Sequence, residues 1–399
     1  MKPPARAGNR SLFGAPLWVS GFRPFFLLGT SYGLFTTGAW LAAYASAWSV
    51  PGTMAPNLWH GHEMVFGFAT AIICGLLLTA LPSWGGMREL AGGELALLVG
   101  TWLAGRTAIG VAPMLSSAAV GAVDVSSLLL LFAFLLPALL KARPKKFLVL
   151  LPVVLALCAT NLWFHVASAR GLTSEAAVAL DAAVAVIAVL FSLVGGFMTP
   201  VFTRNALREL GESDRVWRNQ AIERFAHASV VAFALAVAFR AEPLVTAAVS
   251  VCAFVAHALR LAGWRGWAAR RVPLVLAMHL AYAWLVIAFA LAAAAAFGVA
   301  ARAWVHAVTV GAVGMMMLSL MPRVSLRHTG RPLILSPIVV GTYPAMFAAT
   351  LLRLGVATLG WGGWAIITSV VLWFICFTVY LAVYGPMLVR PSLPRGARP

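Results

Sequence analysis

The residues in this chain with most to offer chemically are its eight histidines: His60, His62, His165, His227, His257, His279, His306 and His328. Imidazole is a common ligand for metal ions and haem iron, and it also moves protons near neutral pH. The densest group is WHGHEMVFGF, residues 59–68, in which Glu63 directly follows the second histidine. On a regular helix His60 and His62 diverge by about 200°, so they cannot both face one ion. Either His60 lies in the loop just before the helix or the two rings serve different partners. Glu63 is one turn from His60 and could bond it, ligate a metal or carry protons. The bland reading is a pair of interfacial histidines solvated by headgroups.

The other histidines are more dispersed. His306 precedes Gly311 and Gly314, small residues that admit a neighbouring helix or a flat macrocycle. Met315, Met316 and Met317 then offer soft thioether sulfur or plain apolar filler. His279 lies in PLVLAMHLAYAW (273–284), one turn from Tyr282. His257 precedes Arg260, His227 follows Glu223 by a turn, and His165 follows Asn161 by a turn. His328, within MPRVSLRHTGRP, stands among arginines suited to an anionic group such as a haem propionate. Asp124 and Asp181, with Glu63, would make an acidic approach for cations or protons. Each of these also has an ordinary reading as a helix-bonded or edge residue.

Composition decides what positions these groups. Of 399 residues 62% are apolar and only 10% charged, against roughly 25% charged in soluble domains; the mean hydropathy is +0.93. A span needs roughly 20 apolar residues. Twelve segments qualify: 24–46, 60–81, 94–111, 118–140, 147–168, 175–200, 220–240, 242–262, 273–299, 304–322, 335–355 and 362–388. In lipid they must be helices. The fold class expected is an all-α polytopic transmembrane bundle of about 12 spans, one integral membrane domain over 1–399. The third segment is the weakest, being short and holding Arg106. The polar stretch 203–219 is expected as a central cytoplasmic loop, which permits a six-plus-six arrangement, although no internal repeat stands out.

The formal charge of +18 does not indicate nucleic acid, because the basic residues cluster between apolar runs. With the N-terminus inside, 24 of the 29 Lys and Arg fall on the cytoplasmic side and only Arg106, Arg170, Arg240, Arg302 and Arg353 on the other. That bias predicts cytoplasmic N- and C-termini. It also sorts the histidines into two layers, with His60, His62, His165 and His306 outer and His227, His257, His279 and His328 inner, which would suit two metal centres. The N-terminal stretch Met1 to Pro16 reads as a cytoplasmic tail rather than a signal peptide. Cys74, Cys158, Cys252 and Cys376 lie in apolar runs with no CxxC, so a disulfide framework is not supported. There is no CxxCH, Walker A sequence, strand-borne GxGxxG or serine nucleophile elbow. Helix pairs broken by Gly or Pro at matching positions, as in many transporters, are not evident.

Several stretches together resemble the NnrS family of bacterial membrane proteins linked to the nitric oxide response: GFRPFFLLG (21–29), WHGHEMVFGFATAIICGLLLTALPSW (59–84), GGFMTPVFTRNAL (195–207), HALRLAGWRGW (257–267), PLVLAMHLAYAW (273–284) and HAVTVGAVGMMMLSLMPRVSLRHTGRPL (306–333). The likeness runs in order over nearly the whole chain, and WHGHEM and RHTGRP are its specific parts. It implies a twelve-span protein of the bacterial inner membrane that contains haem and copper and protects against nitrosative stress. His60, His62, His279, His306 and His328 match family motifs, with His165 and His257 at less distinctive positions. The cofactor is then expected at His279, His306, His328 and Arg331, and metal at His60, His62, His165, His227, His257, His279 and His306. On this reading the protein captures nitric oxide or reduces it to nitrous oxide, with Glu63 as proton carrier and a quinol or other electron donor. A non-catalytic metal- or nitrosyl-binding protector and a transporter of a metal or its complex are the alternatives.

Overall fold

A bilayer interior offers no water to exposed N–H and C=O groups, so a chain this apolar satisfies its backbone within helices. The computed structural model describes residues 14–46, 50, 54–143 and 145–394, and every regular element among them is helical. Lys2, Arg6, Arg10, Arg395 and Arg398, assigned above to the cytoplasmic side, lie outside the described residues, as does most of the stretch read as an N-terminal tail. Twelve long helices match the twelve expected segments. They are α1 (Phe22–Tyr44), α2 (Pro56–Gly85), α3 (Gly92–Gly110), α4 (Ser117–Lys141), α5 (Lys145–Ala169), α6 (Thr173–Glu209), α7 (Gln220–Ala238), α8 (Pro243–Gly263), α9 (Pro273–Ala295), α10 (Ala303–His328), α11 (Pro337–Leu359) and α12 (Gly363–Val389). Ten are long and apolar enough to cross a membrane by length and composition; α1 and α3 are the two outside that set.

Local chemistry fixes the ends. Proline opens α2, α8, α9 and α11, where its missing N–H costs nothing. The Asn219 side chain caps α7 through the N–H groups of Ala221 and Ile222. Two boundaries differ from expectation. The helix α6 runs on to Glu209, so the first part of 203–219 is helical rather than loop. The helix α2 begins at Pro56, so His60 stands inside it and not in the preceding loop.

From α3 to α12 each helix packs on its successor, α12 packs on α1 and α1 on α2, so the neighbours form one continuous series. The helices α2, α6 and α10 also touch one another at the centre. Burial agrees: 83% of the apolar stretch is buried in α2 and α10 and 67% in α6 and α9, against 28% in α12 and 33% in α4, α7 and α8. The Arg240 guanidinium, after α7, meets Glu175 at the start of α6 (2.7 Å). Arg265, after α8, donates to the Ser213 carbonyl that follows α6 (2.8 Å). Alternate connections thus share an end, as up-and-down crossing requires. The buried Arg23 at the start of α1 donates to the carbonyls of Leu388 (2.8 Å) and Arg390 (2.7 Å), satisfying the C-terminus of α12. GFRPFF is thereby a device for closing the bundle, and the start of α1 and the end of α12 share one end of it.

The helices α2 and α10 carry matching distortions. Each has a π-helical segment directly after a histidine, Glu63–Ala69 and Ala307–Gly314, and an interior proline further on, Pro82 and Pro322. These are matched helix breaks that the sequence alone did not make evident. A π turn widens the helix and leaves carbonyls to find other partners; Trp102 Nε1 on α3 donates to the Gly67 carbonyl at 3.0 Å.

Candidate functional site

The structure gathers seven of the histidines into three clusters, His62 with His165, His60 with His306, and His227 with His257 and His279, with His328 apart.

The first cluster lies among α2, α3, α4 and α5 and is buried throughout. Arg106 donates to both Glu63 oxygens (3.0 and 2.9 Å) and to Asp124. His62 bonds Glu63 Oε1 through Nδ1 (2.7 Å) and Asn161 Oδ1 through Nε2 (3.0 Å). His165 Nε2 reaches Asp124 Oδ2 at 2.9 Å, as does Asn161 Nδ2. The Tyr32 hydroxyl closes on Glu63 from α1. Glycines make this approach feasible. A Cβ on Gly105 would stand 2.8 Å from Asp124 Oδ1 and 3.1 Å from its Cα, whereas one on Gly100 meets nothing within 4 Å. Gly105→Ala is therefore expected to lose about 1–3 kcal/mol by overpacking, and Gly100→Ala to gain up to about 1 kcal/mol from helix propensity. Thermal midpoints of the two variants in detergent check the contrast.

The second cluster surrounds a cavity of about 430 Å³ bounded by α1, α2, α6, α10, α11 and α12. His60 comes from α2 and His306 from α10, each just ahead of its π segment. Trp40 stacks on the His60 ring at 4.8 Å and is itself held by Asn57 Oδ1 (3.2 Å). His60 Nδ1 is buried without a hydrogen-bond partner. Arg353 lines the same cavity and, among the described residues, has no carboxylate or hydrogen-bond partner. At the rim Arg302 pairs with Asp181 at 2.6 Å. The rest of the wall is mainly aliphatic, including Val65, Val184, Ile187 and Val310.

The third cluster lies among α6, α7, α8 and α9. Arg260 is 2% exposed and donates to Glu223 (2.9 Å), Tyr282 (2.6 Å) and Ser192 Oγ (3.1 Å). His257 Nδ1 faces the Ala253 carbonyl (2.9 Å), which only accepts, so its Nε2 accepts from Ser192 (2.9 Å). His279 Nε2 lies 2.8 Å from Thr203 Oγ1, whose own proton goes to the Thr199 carbonyl. These two rings are committed to bonding helices together. His227 Nε2, on α7, lacks a partner.

The expected residues are thus separated. His60 and His62 leave α2 toward different clusters, as their angular spacing requires. His328 ends α10, about 30 Å from His306 by helical rise, with its ring against Phe22 at 5.7 Å. Arg331 donates to the Thr329 carbonyl. RHTGRP is a helix stop, with Gly330 at φ +75°, and among His306, His328, Arg331 and His279 only His306 lines the cavity. Glu63 is not on the cavity wall. Gly311 is filled by Trp284 and Thr350 rather than by the cavity, and Gly314 faces Met346. Met316 and Met317 line an all-apolar pocket with no histidine, so they act as filler. Missed on reading the sequence were Arg353, Arg302 and Trp40 at the cavity and Tyr32 at the first cluster. The signal for the arginines was present, because intramembrane charge marks functional candidates, but they had been spent on topology.

Haem is the group that the resemblance implies, and the second cluster fits it. The cavity falls within the usual 300–1,000 Å³ of ligand sites. It offers two imidazoles from facing helices, one with a buried nitrogen that has no hydrogen-bond partner among the described residues, and a guanidinium with no carboxylate partner among them, suited to a ligand carboxylate. The family model for NnrS protein matches residues 16–392, covering every helix described above. Among curated proteins none matches the chain. With a family match across nearly its full length and a polytopic apolar helix bundle behind it, the chain belongs to the NnrS family.

Proposed function

We propose that this protein binds haem in the cavity lined by His60 and His306 and takes up nitric oxide there, as part of defence against nitrosative stress. The observation that carries the reading is the buried His60 Nδ1, without a hydrogen-bond partner among the described residues, at a largely apolar cavity that also holds Arg353, which has no carboxylate partner among them. Burying an unpaired polar nitrogen costs roughly 1–3 kcal/mol, and a ligand there offsets that cost. When bound, haem supplies an iron to which nitric oxide can coordinate. Trp40 and Asn57 fix the His60 ring, and Arg353 and Arg302 are placed to hold carboxylates. The aliphatic wall admits a small apolar gas arriving through lipid and keeps water out. By the Lys/Arg bias the termini are cytoplasmic and the cavity mouth is periplasmic, in the bacterial inner membrane. Copper is the second metal of this reading, and a quinol is the proposed electron source where nitric oxide is reduced to nitrous oxide.

The test is an optical titration of purified protein with haem, followed by reduction and exposure to nitric oxide. A saturable Soret band that shifts with the gas is expected. A folded protein that takes up no haem overturns the reading. Catalytic rather than stoichiometric loss of nitric oxide separates a reductase from a binding protector. One observation favours a second reading, transport of a metal or metal complex: the matched π and proline breaks of α2 and α10 are the kind of interruption that transporters place at their substrate sites. Metal accumulation in proteoliposomes without haem binding would establish it.

A further inference from the structure

From the first cluster we infer a copper site whose ligands are His62 Nε2, His165 Nε2 and Asp124 Oδ2, separate from the haem cavity. The inference deepens the copper half of the functional reading and rests on none of the residues proposed for haem. Asp124 Oδ2 lies 3.2 Å from His62 Nε2 and 2.9 Å from His165 Nε2, and the three ligand atoms lie within 4.8 Å of one another. An ion with bonds of about 2.0–2.1 Å to nitrogen and oxygen keeps its ligand atoms roughly 3 Å apart. The carboxylate is already at that separation from both rings, and only the imidazoles must close toward each other. Asn161 Oδ1, 3.0 Å from His62 Nε2, stands where a fourth oxygen ligand would be.

The surroundings are those of a metal ligand set. Ligating histidines usually give their other ring N–H to a carboxylate, which fixes tautomer and orientation. His62 does so, with Nδ1 2.7 Å from Glu63 Oε1, and Glu63 is in turn held by Arg106 and Tyr32. The His62 ring is further clamped between Phe66 (5.0 Å) and Phe164 (4.5 Å). Glu63 and Asp124 carry two negative charges against the one positive charge of Arg106, which leaves a surplus that a cation removes. Copper, singly or doubly charged, brings the group to zero or plus one. Two imidazoles and one carboxylate suit copper or zinc and disfavour magnesium and calcium. The competing occupant is a proton on His62, which would let that ring donate to both neighbours.

The experiment loads purified full-length protein with copper(II), removes the excess on a desalting column, and counts metal by elemental analysis alongside an electron paramagnetic resonance spectrum. One copper per chain is expected, with hyperfine structure from two imidazole nitrogens. His165→Gln keeps a donor toward Asp124, so the network survives while a ligand is lost; retained copper should fall by about tenfold or more. Asp124→Asn should do the same. His306→Ala should keep its copper, so that failure of the haem assignment and failure of this one are read separately. A folded wild-type protein that retains no copper, or a monodisperse His165→Gln variant that retains it in full with an unchanged spectrum, overturns the inference and leaves the proton as the occupant.

Discussion

Arg106→Met is expected to destabilise the folded protein by about 3–5 kcal/mol, the usual cost of removing one partner from a buried ion pair. The side chain is 5% exposed, and both acidic partners, Glu63 and Asp124, are 0% exposed. With Arg106 gone, two carboxylates face each other in the interior with the histidines, Asn161 and Tyr32 left to hold them. Isosteric neutralisation should recover much of the loss, because buried ion pairs themselves contribute little net stability once desolvation is counted. The triple variant Arg106→Met, Glu63→Gln, Asp124→Asn is thus expected to unfold closer to wild type than Arg106→Met alone. Denaturation midpoints of the three proteins in one detergent decide it. Equal midpoints for wild type and Arg106→Met would mean that protons or another cation neutralise the carboxylates in the variant.

That ion pair also shows how far the sequence could be read. Arg106 makes α3 look like a doubtful span, and its hydropathy does keep it out of the apolar set. Nothing local says that Glu63 and Asp124, on two other helices, neutralise it. The helices themselves were legible because lipid leaves the backbone no alternative and each apolar run has the right length. The divergence of His60 and His62 was legible too, being a property of one helix. Pairings between helices were not: His62 meets His165 because α2 lies beside α5, and His60 shares a cavity with His306 because α2 and α10 meet at the centre of the bundle. Depth from span edges sorts the histidines into two layers only, and which of them meet within a layer depends on lateral position. The π segments left no sequence mark, since an extra residue in a turn depends on partners such as Trp102 elsewhere. RHTGRP misled in the opposite way. Its residues are distinctive, yet they end α10, accept the Leu393 N–H at the Thr329 carbonyl (2.9 Å) and tie the C-terminal segment down.

Arg353→Leu should separate the cofactor reading from a purely structural one, because the two readings predict effects of opposite kind. A guanidinium in the wall of a mostly aliphatic cavity, with no carboxylate among the described residues, is a cost to the protein without its ligand. Replacing it should leave the stability of the haem-free protein unchanged within about 1 kcal/mol or raise it, in contrast to Arg106→Met. Haem affinity should respond strongly. A charge-assisted hydrogen bond contributes about 1.5–3 kcal/mol, and about 1.4 kcal/mol corresponds to tenfold in binding, so the dissociation constant for haem should rise roughly 10- to 100-fold. Arg302→Leu is expected to have the smaller effect, since Arg302 is 55% exposed and already paired with Asp181, and exposed pairs contribute at most about 1 kcal/mol. His306→Ala completes the comparison by removing a ligand rather than an anchor, so its spectrum should change in kind while that of Arg353→Leu saturates to the wild-type shape at higher haem. Titrating haem into the four proteins and following the Soret band gives both quantities at once. A loss of stability in haem-free Arg353→Leu with unchanged affinity would make the arginine a packing residue and remove the anionic anchor from the cavity.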